Sequence, residues 1–247
     1  MKQYDVLDII TEVFTTGKET SPRGKLIREI EYFQGIITDP WSNYEGRNFN
    51  LDYVKREFQW YLNANPYDTR ICKYAKTWNK IVQDDGKIFS NYGQYWFPNG
   101  IDWVVNTLIN DPYSRQAIIP MLCKEHLFTG NKDVVCSVGP QFRIVDGKLN
   151  IHVKFRSSDA IFGLGADLPT YWWLWEMIAR ILGLKTGIFV FSADSLHIYD
   201  YQFGMAEHII FADIKEYVYY PPITSVNDLL TCKFESDFGK WLLEAPL

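Results

Sequence analysis

The chain has 247 residues, 47% of them hydrophobic, 17% aromatic and 22% charged, and a formal net charge of −5. The length suits one large domain spanning 1–247 with a well-buried core, and the apolar content excludes a disordered chain. The acidic balance argues against a general nucleic-acid surface, and no apolar run reaches the roughly 18 residues needed to cross a bilayer. MKQYDVLDIITEVF has no signal-peptide pattern, so a soluble cytoplasmic protein is expected. The four cysteines, Cys72, Cys123, Cys136 and Cys232, are irregularly spaced, which points to reduced thiols. Cys123 and His126 form a lone CxxH without the second half of a zinc pattern, so no metal is expected.

In chain order, residues 3–16 read as a helix and 17–24 (GKETSPRG) as a polar loop. Leu51, Val54, Phe58 and Tyr61/Leu62 have helical spacing over 51–64, and Asn65-Pro66 closes that helix. Another helix is predicted at 101–109, ended by Asn110-Asp111-Pro112. Residues 133–145 and 148–156 are β-rich and meet at Asp146-Gly147, a hairpin signature. Residues 168–183 are apolar nearly all round, which predicts a buried helix with Asp167 at its start and Pro169 just inside. Residues 187–198 read as one more strand. The class is α+β, with a largely hairpin-connected sheet.

Four stretches carry candidate chemistry: Glu57-Phe-Gln-Trp60, Asp111-Pro-Tyr-Ser-Arg115, Cys136 with Arg156-Ser-Ser-Asp159, and Asp194-Ser-Leu-His197-Ile-Tyr199. Glu57 lies among Phe58, Trp60 and Tyr61, so burial would raise its pKa and suit it to moving protons. His197 and Tyr199, two apart on a strand, face the same side.

In this order and spacing the stretches resemble the thymidylate synthase family, from about Thr16 to the terminal Ala-Pro-Leu. The resemblance implies a central mixed β-sheet flanked by helices, with one sheet face forming a dimer interface. It makes Cys136 the nucleophile that adds to C6 of a pyrimidine and so activates C5, a thiolate aided by nearby positive charge. By the same resemblance, Arg156, Ser157 and Arg23 bind the nucleotide phosphate, and Arg115 reaches the partner subunit's site. The family usually has two arginines there; this chain has Arg115-Gln116. His197 and Tyr199 would hold the sugar 3′-hydroxyl. Glu57 and Tyr92 would order water and move protons. Trp78, Asp159 and Leu247 would contact the cosubstrate, 5,10-methylenetetrahydrofolate.

Thymidylate synthases carry an asparagine where this chain has Asp167 (Gly165-Ala166-Asp167), and that amide pairs with uracil. A carboxyl instead accepts from the cytosine amino group and shares a proton with N3, so Asp167 is expected to select dCMP. The same substitution marks the phage deoxycytidylate hydroxymethylases, which this chain resembles, and phage DNA modification in a host cytoplasm is their natural setting. A helix cap at Asp167 is the competing reading. After one-carbon transfer, water would give 5-hydroxymethyl-dCMP and hydride would give 5-methyl-dCMP with dihydrofolate. A binding protein that reuses the pocket, and a hydrolase pairing Cys136 with His197, are alternatives from other classes.

Overall fold

The structure is a computed structural model that describes residues 1–247 apart from 45, 46, 48, 98, 213 and 214 and the side chains of 42–44, 215 and 216. The first half contains β1 (Gln3–Asp5), α1 (Val6–Thr16), β2 (Lys18–Thr20), β3 (Ile27–Asp39), β4 (Ser42–Tyr44), α2 (Leu51–Asn63), α3 (Lys76–Asn79), α4 (Gly93–Trp96) and α5 (Asn99–Asn110). The second contains β5 (Ser137–Val145), β6 (Lys148–Phe155), β7 (Ser158–Asp159), α6 (Gly163–Ile181), β8 (Lys185–Tyr199), α7 (Phe203–Ala212), β9 (Lys215–Tyr217), α8 (Val226–Leu230) and α9 (Asp237–Leu243).

The main sheet runs β1-β3-β8-β6-β5, with β2 added to β3 and β7 to β8; β4 and β9 form a separate pair. The β5–β6 hairpin turns at Asp146-Gly147, both with positive φ, as the sequence predicted. Short β2 also folds back antiparallel on β3, but the rest is not hairpin-connected as expected. β1–β3, β6–β8 and β7–β8 are parallel, which makes the sheet mixed and forces crossovers through helices.

Several boundaries differ from the sequence reading. Residues 3–5 leave the predicted first helix to pair with β3, and Asp5 then caps α1 in a reciprocal capping box with Asp8. Residues 17–24 contain β2 and a tight 3-10 turn at Pro22–Gly24 rather than only a loop. Residues 133–136 are not strand; β5 begins at Ser137. The unpredicted β3 is the long partner of β8.

The correction that matters most is α6. It begins at Gly163, so Asp167 is its fifth residue and not its cap, and Pro169 lies inside it. Pro169 cannot donate to the Gly165 carbonyl four residues earlier, so the helix lacks one hydrogen bond there. Trp173, fully buried on α6, packs near Trp41, Phe58, Phe238 and Trp241, joining this helix to α2 and α9.

Candidate active site

Cys136 is half-buried just ahead of β5. The Arg156 N–H donates to the Cys136 carbonyl at 2.8 Å, which extends the β5–β6 ladder to the nucleophile segment. The Arg156 guanidinium turns onto the same segment: Nε donates to Val135 O at 3.0 Å, Nη2 to Val134 O, and Nη2 lies 3.7 Å from Cys136 Sγ. A thiol pKa lowered by nearby cations was expected, but the direction is the opposite. Burial pushes the thiol up, Arg156 and Arg23 pull it down, and Asp167 and Asp133 push it further up. Desolvation outweighs the guanidinium because one charge beside a half-buried sulfur does not replace water.

Glu57 is buried on α2 at 3% exposure. Tyr53, one turn earlier, donates to Glu57 Oε1 at 2.7 Å, and Trp78 Nε1 donates to the Tyr53 hydroxyl at 2.8 Å. Burial raises the Glu57 carboxyl to about 7, against the hydroxyls of Tyr53 and Tyr61. Its other oxygen, Oε2, is buried without a hydrogen-bond partner among the described residues. Tyr92 stands just before α4, its ring stacked on Tyr61 at 5.1 Å and 16°.

Asp167 is half-buried, and no hydrogen bond among the described residues engages its carboxyl. Burial first, then the Glu57 and Asp159 charges, push that carboxyl well above the usual range, which favours its protonated form. Its charge would be felt by Tyr53, Tyr61, Tyr92, Cys136 and Tyr171, so groups on α2, the α4 turn, the nucleophile segment and α6 lie within electrostatic reach of it.

Asp159 instead ties down the turn ahead of α6, whose N-cap Phe162 makes no side-chain cap hydrogen bond. Asp159 Oδ1 accepts from Ile161 N at 2.8 Å and Phe162 N at 3.1 Å, and Oδ2 from Gln202 Nε2 at 2.8 Å. β7 aligns Asp159 with His197 on β8. His197 Nδ1 pairs with Ser195 Oγ at 3.3 Å, and its ring meets Tyr199 edge-on at 4.9 Å. The bond at the thiol comes from Arg156 rather than His197, so the hydrolase reading is set aside. Arg23 is exposed in the Pro22–Gly24 turn with φ +53, and its charge acts on Cys136, His197 and Tyr199. Ser157 is half-buried beside Arg156.

Two predicted residues lie apart from this cluster. Arg115 is exposed in a hollow of about 550 Å³ lined also by Trp103, Asp111 and Tyr113. Leu247 ends a tail that lies along α2: Gln59 Nε2 donates to Leu242 O and Ala245 O at 2.9 and 2.8 Å, and Leu247 N approaches Gln59 Oε1 at 3.4 Å. Tyr53 and Gln202 were not singled out from the sequence. Tyr53 was legible as the residue four before Glu57 on one helix face; Gln202 had no comparable signal.

The model of the thymidylate synthase family matches residues 2–221, nearly the whole described sheet and every clustered residue above. The chain belongs to that family. It is thus a one-carbon transferase of the thymidylate synthase type, with the tail beyond 221 outside the match. It is 27% identical over 175 residues to the deoxycytidylate 5-hydroxymethyltransferase of Enterobacteria phage T4, covering 64% of this chain and 71% of that one. It is 29% identical over 228 residues to the deoxyuridylate hydroxymethyltransferase of Bacillus phage SP01, covering 82% of this chain and 59% of that one. No helix among the described residues is long and apolar enough to cross a membrane.

Proposed function

We propose that the chain converts dCMP, 5,10-methylenetetrahydrofolate and water into 5-hydroxymethyl-dCMP and tetrahydrofolate. The observation that carries the reading is Asp167, a carboxyl inside α6 that caps nothing, acts electrostatically on Cys136 and is pushed by burial toward its protonated form. Its O–H would donate to cytosine N3 and its carbonyl would accept from the 4-amino group. Cys136 would bond to C6, which drives negative charge toward N3, where the Asp167 proton waits. Arg156 is aligned on the nucleophile segment, with Arg23, Ser157, His197 and Tyr199 at the same end of the sheet to hold phosphate and sugar. Ionised Glu57 would take a proton from water near pH 7, and Tyr92 would order that water.

The residues fit the folate. Glu57 Oε2 is buried and orphaned beside the Tyr53–Trp78 chain, which leaves a polar demand that a bound group or its water would meet. Trp78 would wall that side, with Asp159 and Leu247 as further contacts. When bound, the folate supplies a one-carbon unit at the oxidation level of formaldehyde.

Two alternatives have specific support. The tail pinned to Gln59 would exclude water, which favours 5-methyl-dCMP. The SP01 relative acts, by its name, on deoxyuridylate, and a neutral carboxyl also matches uracil with its proton on the other oxygen. The test is to incubate the chain with the folate and dCMP, dUMP or CMP, then weigh the nucleotide. A gain of CH2O on dCMP is expected. A gain of CH2 means the methylase, and turnover of dUMP alone overturns the cytosine assignment. Asp167→Asn should lower the dCMP to dUMP ratio of kcat/KM by at least about tenfold.

We also propose a homodimer formed through the open sheet face. Ile36, Val190, His152 and Gln141 align in one row across β3, β8, β6 and β5. All four are half-buried, on the face opposite the core. All-parallel sheets are ordinarily covered on both faces, and the parallel β8–β6 pair lies inside this sheet rather than at its edge.

A further inference from the structure

Three residues before the nucleophile stands a carboxylate that nothing above uses. Asp133 is buried at 3% exposure. Its Oδ2 accepts from Ser90 N at 2.7 Å and its Oδ1 from the Ser90 hydroxyl at 2.5 Å. Its own N–H donates to Asn131 Oδ1 at 2.8 Å. Ser90 lies two residues before Tyr92, in the turn that leads to α4. One side chain therefore fastens the segment that carries Cys136 to the segment that carries Tyr92, and the next three residues are gripped from the other side by Arg156.

We infer that Asp133 and Ser90 form a clamp that positions the nucleophile, holding 133–136 against the turn that carries Tyr92 so that thiol and phenol keep a fixed relation. A hydrophobic side chain would fill the same buried place without needing Ser90. A carboxylate there requires both Ser90 donors, because a buried charge left unpaired is costly. The clamp also puts a negative charge near the sulfur. The thiol faces Arg156 and Arg23, which favour its ionisation, and Asp167 and Asp133, which oppose it. The phenols of Tyr92, Tyr171 and Tyr199 also face it. Asp133 in turn faces Arg156 and the Ser90 and Phe89 N–H groups, which favour its charged form, but burial outweighs them and pushes its carboxyl up.

The inference rests on Cys136 being the nucleophile, and its test separates the two. Alkylation of Cys136 by iodoacetamide, read by peptide mass across pH, needs no nucleotide. Asp133→Asn keeps the shape and removes the charge, so alkylation should begin about half to one pH unit lower. Ser90→Ala keeps the charge and removes one donor. Its turnover, on whichever nucleotide the wild type accepts, should fall at least about fivefold with KM little changed, and Ser90→Thr should recover most of it. An Asp133→Asn titration that coincides with wild type overturns the inference. So does wild-type turnover in Ser90→Ala, or a Ser90→Thr no better than Ser90→Ala. If Asp133→Asn does not fold, the Ser90 pair decides alone. If wild type turns over no nucleotide, the proposed function falls while the alkylation titration still decides this one.

Discussion

At the residue scale the site is a contest between burial and charge, and pH should expose it. Glu57 sits at about 7 because desolvation penalises its charged form. A carboxylate with a raised folded-state pKa contributes stability that is full below its unfolded value and is lost as pH rises through the folded one. Unfolding by denaturant at pH 4 and pH 8 should therefore differ between wild type and Glu57→Gln. Wild type should lose on the order of 3 kcal/mol more across that window. In turnover the same carboxyl acts when ionised, so the rate should climb with pH through 7. It should keep climbing above 7, because burial pushes the Cys136 thiol up and its thiolate is scarce at neutrality. Cys136→Ser should abolish tritium release from [5-³H]dCMP, by at least about a thousandfold, while the fold survives. Release that persists in the serine variant would remove the covalent mechanism.

At the scale of elements, what was legible follows from how each one meets the core. α2 and the β5–β6 hairpin show clean periodicity and turn chemistry, and both lie where the sequence puts them. β3 was not legible. Its buried positions Phe33, Gly35 and Ile37 alternate, but the charged Arg28, Glu29 and Glu31 ahead of them interrupt the pattern, and Tyr32 adopts a positive φ. The start of α6 was misread because Gly163, Gly165 and Pro169 all read as breakers, whereas tertiary packing holds the turn helical. The family resemblance brought out Cys136 and Arg156, and strand periodicity put His197 and Tyr199 on one side. Neither brought out Tyr53, Gln202 or the Asp133–Ser90 pair, whose partners are set by tertiary contacts. The tail is the element whose role can be tested directly. Gln59→Ala removes the donor to Leu242 O and Ala245 O, which should cost roughly 1–3 kcal/mol in a thermal or denaturant melt. If the tail governs water entry, the share of hydroxymethyl over methyl product should rise in that variant. An unchanged product ratio would detach the tail from the choice between water and hydride.

At the scale of the whole molecule, the segment that carries Arg115 is tied to the open sheet face. The row Ile36, Val190, His152, Gln141 ends on β5, and the Gln141 amide donates to the Arg115 carbonyl at 2.9 Å. Ile118 bridges to Gln141 as well, so the segment carrying Arg115 is bound to the rim of that face. Within its own chain Arg115 lines the exposed hollow beside Trp103 and stands clear of the Cys136 cluster. A second copy packed on the open face would bring this rim beside its own site, and the arginine would then serve the neighbour's phosphate. Sedimentation should accordingly find a dimer. Arg115→Ala and Cys136→Ser should each be inactive alone. Mixed after reversible dissociation, they should recover about a quarter of wild-type activity, because random pairing makes half the dimers hybrid and each hybrid holds one intact site of its two. If Arg115 instead acts within its own chain, each hybrid subunit carries one defect and mixing restores nothing. Full activity in a sedimenting monomer would overturn both the interface and the shared arginine.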